Sequence, residues 1–333
     1  MTAPTRSLDV VGIGNALVDV LSHESDQFLE EHGLVKGGMS LADGARAHAL
    51  YDDMGPATEI SGGSAANTMV GIASFGGQTA FVGRVRDDEL GDVFAHDIRA
   101  AGVRFETPAA REGLSTGRCL IVVTPDAERT LTTFLGAAAE IGPADVGHDL
   151  IASSQVTYLE GYLFDQPSAK DAFRFAARSA HDAGGRVALT LSDSFCVDRH
   201  RHDFLTLVEH EVDILFANEH EICALYEVDD FDTALQHVNH QCEVAALTRS
   251  AKGSVVVSGD ETHVIDVHPV AGAVIDTTGA GDQYAAGFLF GFTHGYDLAR
   301  CGRLGSLAAS EVISHLGARP ETSLADLGAS LLR

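Results

Sequence analysis

Lysine occurs only three times in this 333-residue chain, at Lys36, Lys170 and Lys252, and lysine plus arginine number 22 against 48 aspartate and glutamate residues. The formal net charge of −26 excludes a nucleic-acid partner, because a phosphate backbone binds through a basic surface that releases its counterions. Local anion sites stay open, since backbone amides and a few cationic side chains can hold a phosphate whatever the global charge. An acidic, lysine-poor surface fits either a salty cytoplasm or a biased genome. Cysteine is sparse too. Cys119, Cys196, Cys223, Cys242 and Cys301 are odd in number, scattered and without a paired zinc spacing, which points to a reducing cytoplasm rather than a disulfide framework. No apolar run approaches a membrane span, and residues 1–6 lack the apolar core of a signal peptide. Internal repeats, low-complexity tracts and disordered linkers are lacking as well. With 45% hydrophobic content, the length suffices for one large domain with an appendage or for two domains.

Glycine, in contrast, is abundant at 35 residues, and its most informative setting is Asp276-Thr277-Thr278-Gly279-Ala280-Gly281-Asp282. Ala273, Val274 and Ile275 before this run read as a strand. Tyr284, Ala285, Ala286, Phe288 and Leu289 after it are spaced for the buried face of a helix. The turn therefore opens a helix, where unpaired N–H groups and the positive end of the dipole favour an anion, and Gly279 and Gly281 let it approach without a Cβ in the way. Asp282 would repel a phosphate unless a cation bridged them, so its natural task is to take a proton from a hydroxyl attacking that phosphate. Helix capping by Asp282 is the simpler alternative, but it explains neither the two glycines nor the two threonines and the second acid.

Elsewhere, strand-like runs at 10–13, 79–82, 156–159, 187–191 and 212–216 alternate with helix-like stretches at 65–75, 90–101 and 169–183. That rhythm predicts an α/β fold, a mostly parallel sheet covered by helices on both faces, with ligands at the loops along one edge. Residues 118–124 and 129–134 interrupt it as a β-hairpin. Gly12-Ile13-Gly14-Asn15 follows a strand but is no dinucleotide fingerprint, because Leu17 stands where the third glycine is required. A GxxxxGK[ST] loop is absent, which excludes a Walker-type NTPase. Asn218 and Glu221, three apart after the strand 212–216, fit a capping box as well as a ligand site. The histidine pairs at 200/202 and 237/240 have no completing metal ligands and read as chance proximity.

The run at 276–282 resembles the C-terminal signature of the ribokinase and adenosine kinase family, the PfkB family of small-molecule kinases. A matching N-terminal signature lies at Gly62-Gly63-Ser64-Ala65-Ala66-Asn67-Thr68, Phe75-Gly76-Gly77, Phe81-Val82-Gly83-Arg84-Val85 and Asp88 to Gly91. The resemblance spans nearly the whole chain; Arg86 and Ser250 depart from it in loops. It implies a ribokinase-like, doubly wound fold in one domain, 1–333, with a small β lid from roughly 16–42 and 104–136. It places Asp19 on sugar hydroxyls, and a carboxylate can accept from two vicinal hydroxyls at once. It places Asn15 near a nucleoside, and Gly62, Gly63 and Asn67 on the sugar. Asn218 and Glu221 would lie around Mg²⁺ and the nucleotide phosphates, Glu221 through water, while Thr248 and Gly253 would approach ATP. Lys252 reads as an exposed loop lysine. The adenine pocket would lie near the C-terminal helices. In many members the acid matching Asp276 and carbonyls near Gly317 hold K⁺; Glu321, where ribokinases tend to carry a small hydroxyl residue, departs from that site.

The expectation is an ATP-dependent phosphotransferase acting on the primary hydroxyl of a ribose-containing small molecule, adenosine or a related nucleoside. Asp282 is the base, with Gly279, Ala280 and Gly281 as the anion hole and Phe134 stacking on a base. Asn15 and the 17–19 spacing favour a nucleoside over the alternative, a free sugar such as ribose, fructose or a keto-deoxy sugar acid. A catalytically silent sensor is the distant alternative. The expected state is monomer or homodimer.

Overall fold

The computed structural model describes residues 6–126 and 128–333. Its strands, in chain order, are β1 (Leu8–Ile13), β2 (Leu17–His23), β3 (Met39–Leu41), β4 (Ala57–Gly62), β5 (Thr79–Val82), β6 (Arg104–Phe105), β7 (Gly117–Val123), β8 (Arg129–Phe134), β9 (Ser154–Glu160), β10 (Arg186–Thr190), β11 (Ile214–Asn218), β12 (Val244–Thr248), β13 (Ser254–Ser258) and β14 (Glu261–Ile265). Among the described residues they form two sheets. The larger runs β14-β13-β12-β11-β10-β9-β1-β5-β6, parallel from β12 to β6 and closed at the other edge by the antiparallel β13 and β14.

The inner strands are almost wholly apolar because helices cover both faces. Side chains alternate across the sheet. Val10 of β1 joins Met69, Tyr158, Phe216 and Phe288 in one core, under the helices Ser64–Ser74 and Ala280–Thr293. Val11 and Ile13 join Phe164, Phe173 and Phe204 in the other, under Pro167–Asp182 and Ser194–His210. This is the doubly wound ribokinase-like architecture. β1 pairs with β5 on one side and β9 on the other, so the crevice where the chain changes direction opens at the carboxyl ends of β1 and β9, the place where ligands bind in such sheets.

The second sheet runs β3-β8-β7-β2-β4. It takes in Ala57–Gly62, outside the segments assigned to the lid from sequence, and leaves Arg104–Phe105 to the large sheet. The expected strand at 273–275 is absent. The large sheet ends at β14 with no neighbour for another strand, and this segment crosses open surface, with Val274 57% and Ile275 51% exposed. A single backbone bond, Ile275 N–H to the Ile313 carbonyl at 2.8 Å, ties it down. All five cysteines are free. Among the described residues no helix is long and apolar enough to cross a membrane.

Candidate active site

The helix Ala280–Thr293 begins at Gly279, whose φ of +76° is left-handed. A Cβ there would lie 2.6 Å from that of Ala318, so conformation and space both require glycine. Ala280 N–H returns to the Thr277 carbonyl at 3.2 Å and Gln283 N–H to Gly279 at 2.8 Å. Between them, Gly281 and Asp282 present first-turn N–H groups with no intrahelical partner. A Cβ on Gly281 would meet open space, which is the side from which an anion can enter.

Asp282 looks across to a second helix start. Its Oδ1 accepts from Ser64 Oγ at 2.6 Å and its Oδ2 from Asn67 Nδ2 at 3.4 Å. Burial pushes its pKa up to about 6, against the pull of these two donors. It is thus a partly covered carboxylate, ionised at neutral pH and basic enough to accept a proton. The helix Ser64–Ser74 starts at Gly63, with φ +101°, where a Cβ would stand 2.1 Å from the Asn15 carbonyl oxygen.

Asp19 of β2 lies against Gly62, close enough that a Cβ on Gly62 would fall 2.4 Å from its Oδ2. Among the described residues nothing donates a hydrogen bond to the Asp19 carboxylate. Burial raises its pKa to about 6, while the positive charges of Arg319 and Arg129 pull it down and Asp282 pushes it up. A half-buried carboxylate that takes no donor from the chain is open to hydroxyls. Asn15 is buried at the end of β1 and bound to Glu160 at the end of β9. Its Nδ2 and N–H reach Glu160 Oε1 at 2.7 and 3.3 Å, and Ala65 N–H reaches Oε2 at 2.9 Å. Burial raises Glu160 to about 7. With Nδ2 committed, the free group of Asn15 is its Oδ1, buried and without a partner.

The Asp276 carboxylate is fully subscribed by donors. Oδ1 takes Thr278 N–H at 2.9 Å and its hydroxyl at 2.7 Å; Oδ2 takes Gly317 N–H at 3.1 Å and the Arg129 guanidinium. Burial opposes ionisation, but these donors hold its pKa below the usual carboxylate range. The K⁺ expected at Asp276 does not fit this arrangement: a guanidinium already neutralises the carboxylate and no lone pair remains for a metal. Arg129 also reaches Thr278 Oγ1 at 3.3 Å, which sets a cation at the rim of the anion hole.

Further along the sheet edge, Asn218 and Glu221 form the capping box. Glu221 Oε2 accepts Asn218 N–H at 2.9 Å and Oε1 its Nδ2 at 2.5 Å, while Asn218 Oδ1 accepts Glu221 N–H at 2.9 Å. Burial raises Glu221 to about 7. The carboxylate keeps lone pairs for a hydrated ion, so the pair fits Mg²⁺ held through water. Thr248 ends β12, and Gly253 turns the chain at φ +81°. Lys252 is exposed and paired with Glu219 at 3.3 Å, as Arg249 is at 3.1 Å. Phe134 is 7% exposed, its ring against Gly44 and Gly136, so stacking on a base would require that packing to open. Among the described residues no three His, Cys, Asp or Glu side chains gather as a metal-ligand set.

Sequence reasoning missed four of these residues. Ser64 sits inside the N-terminal signature at 62–68 and caps nothing, which is a usable signal. Glu160, Arg129 and Arg319 enter from positions 145, 147 and 252 residues away from their partners Asn15, Asp276 and Asn67.

A base beside an anion hole, facing an unpartnered carboxylate across a crevice, is the equipment of an alcohol phosphotransferase. Residues 54–324 match the family described as pfkB family carbohydrate kinase, and the chain belongs to it. The adenosine kinase of Saccharomyces cerevisiae is 28% identical over 95% of this chain and 96% of its own. The crystal structure of adenosine kinase from Sinorhizobium meliloti superposes with a TM-score of 0.89 at 53% identity, covering 97% and 99% of the two chains. A "probable sugar kinase protein" from Rhizobium etli CFN 42 superposes with a TM-score of 0.91 at 48% identity, covering 98% and 99%. The protein is a small-molecule kinase of the sugar and nucleoside class.

Proposed function

We propose that this kinase transfers the γ-phosphoryl group of ATP to the primary hydroxyl of a ribose-bearing nucleoside, adenosine or a close relative. The observation that carries the reading is the pairing of Asp282, at the anion hole, with Asp19, a carboxylate bearing no donor. Asp19 accepts both hydroxyls of a ribose diol, and Asn67 and the Gly63 turn fix the ring so that the primary hydroxyl faces Asp282. Asp282 removes the hydroxyl proton as the oxygen bonds to the γ-phosphorus and the bond to the bridging oxygen of ADP breaks. The N–H groups at Gly281 and Asp282 and the Arg129 guanidinium stabilise charge on the transferred group. Asn218 and Glu221 would hold hydrated Mg²⁺, which supplies charge neutralisation for the triphosphate; Thr248 and Gly253 line the approach of the nucleotide. The second sheet covers the acceptor and excludes water.

The likeness to adenosine kinases of two organisms and the buried, unpartnered acceptor of Asn15, suited to an amino or hydroxyl donor, support a nucleoside. The family's carbohydrate members keep a free-sugar acceptor as the second reading. A silent sensor would have no use for Asp282. An ATP-consumption screen of purified protein against nucleosides and free sugars tests the proposal: turnover with adenosine or another nucleoside is expected, and turnover with free sugars alone overturns the nucleoside assignment.

A further inference from the structure

Arg319 lies on the loop after the helix Leu298–Val312 and is bound into the acceptor pocket from behind. Its side chain is 15% exposed. Nε donates to Asn67 Oδ1 at 3.1 Å and Nη1 to Asp97 Oδ2 at 2.9 Å, while Nη2 is buried with no partner. Asp97 Oδ2 is itself anchored by the N–H and hydroxyl of Ser61, at 2.8 and 2.6 Å, one residue before the Gly62 on which Asp19 rests. The backbone beside Arg319 is clamped as well: Gln283 Nε2 donates to the Ala318 carbonyl at 2.9 Å and to the Asn67 carbonyl at 3.1 Å.

An arginine can only donate, so the Asn67 edge facing it must be the oxygen, which turns Nδ2 toward Asp282 and the substrate. Asp19, for its part, is faced by Arg319 from this loop, Arg129 from β8, Cys119 from β7 and Asp282 from the helix Ala280–Thr293, and β4 contributes only the bare Gly62. Arg129 is paired with Asp276 and Arg319 with Asp97, and Arg319 also holds a group of the acceptor pocket, Asn67. We propose that Arg319 is a positioning residue which orients the Asn67 amide and places a buried positive charge behind the acceptor pocket, so that the pocket offers a diol-bearing alcohol one fixed donor and one charged acceptor. This rests on the acceptor-site reading above.

Three variants separate the two tasks. Arg319→Met removes both, Arg319→Lys keeps the charge without the Nε–H, and Arg319→Gln keeps a donor for Asn67 without the charge. In Arg319→Met the acceptor KM should rise about tenfold or more with the ATP KM within about threefold, and the acidic limb of kcat/KM should move up by about one pH unit. Arg319→Lys should keep the wild-type limb while kcat falls about tenfold as Asn67 is freed to turn. If Arg319→Met does not fold, Arg319→Gln carries the same pH test. A ¹³C-carboxyl NMR titration of Asp19 without substrate should show its midpoint rising in the Met and Gln variants and not in Lys. That readout is independent of which alcohol is phosphorylated, so a wild type inactive on every nucleoside and sugar would overturn the proposed function and not this assignment. An Asp19 midpoint unchanged in a folded uncharged variant, or equal KM changes for both substrates, would overturn it.

Discussion

Asp282→Asn is the sharpest perturbation of the proposed chemistry, because it removes the proton acceptor and, besides it, only the long contact from Asn67 Nδ2 at 3.4 Å. The amide has the volume of the carboxylate and its oxygen can still accept from Ser64 Oγ, now 2.6 Å away. Loss of a general base lowers turnover by about 10²–10⁴, with KM for both substrates within a few-fold. The pH profile gives a second reading. Asp282 and Asp19 both have pKa values raised to about 6, and both must be ionised, one to take a proton and one to accept hydroxyls. Each is about nine-tenths ionised at pH 7 and about one-tenth at pH 5, so wild-type kcat/KM should fall roughly a hundredfold across that range, with a slope approaching two. The residual activity of Asp282→Asn should follow Asp19 alone, with a slope of one.

The same shift makes a stability statement of opposite sign to the usual surface carboxylate. The folded-state pKa of Asp282 is raised from 3.8 to about 6, so the native state binds the proton more tightly than the unfolded chain. Stability therefore declines as pH rises from about 4 through 6, and the full penalty, at most about 3 kcal/mol and less where the cleft admits water, applies above that. Asp282→Asn should raise the melting temperature by a few degrees at pH 8, and the gain should shrink as pH falls through 6 and vanish only below the unfolded value of 3.8, where folded and unfolded carboxyls are both protonated. Differential scanning calorimetry and steady-state kinetics on the same preparations decide the matter. Near-normal turnover would remove Asp282 from the mechanism, and an unchanged melting temperature at pH 8 would show that its carboxylate is not desolvated.

Asp19→Ala should raise the acceptor KM by about a hundredfold or more, since two hydrogen bonds to a charged acceptor are lost, while calorimetry shows ATP affinity little changed; equal losses would make Asp19 structural. Gly281→Ala should melt at close to the wild-type temperature but lose turnover, because its new Cβ stands in open space where the anion enters, whereas Gly279→Ala should fold poorly, as its Cβ meets Ala318 at 2.6 Å in a left-handed conformation. Hydrogen exchange across residues 118–126 and 128–134 should slow when the true acceptor binds and change little with ATP alone; unchanged exchange would make that hairpin a fixed element.

The parts of the site legible in the sequence are those whose atoms are contiguous. Gly279, Gly281 and Asp282 fall within four residues, and the turn that a left-handed glycine and a helix start impose brings them together without help from the rest of the chain. Asn218 and Glu221 are legible for the same reason, and the capping box between them forms as the spacing requires. Glu160 and Arg319 are different in kind. An acid at a strand end and an arginine before Pro320 acquire meaning only when β9 meets β1 and the last loop meets the helix Ser64–Ser74. The misread strand at 273–275 has the same origin: Val274 and Ile275 have strand propensity, but a strand needs a neighbour, and the sheet had closed at β14. β13 and β14, by contrast, are legible in the sequence, for Ser258-Gly259-Asp260-Glu261 is a hairpin turn between two β-branched runs. At Ala57–Gly62, pairing with β2 rather than local pattern makes the strand.

Arg129 and Asp276 carry the last prediction, on the ionic requirement of the reaction. A carboxylate beside an anion hole must be neutralised, or it would repel the phosphoryl group that the hole is built to hold. A bound monovalent cation can do this, and so can an arginine, but the two compete for the same lone pairs. Here all four donors to Asp276 come from the chain itself, two from Thr278, one from Gly317 and one from Arg129. Turnover should therefore be nearly indifferent to K⁺, staying within about twofold when K⁺ is replaced by a bulky tetraalkylammonium ion at constant ionic strength. Arg129→Ala should uncover Asp276, lower kcat by about 10²-fold or more through loss of charge stabilisation at the transferred group, and make the residual rate respond to K⁺, because the vacated oxygens can then accept an ion. A wild type strongly activated by K⁺ would mean that Arg129 leaves Asp276 during turnover and that the ion pair seen here belongs to the resting enzyme alone.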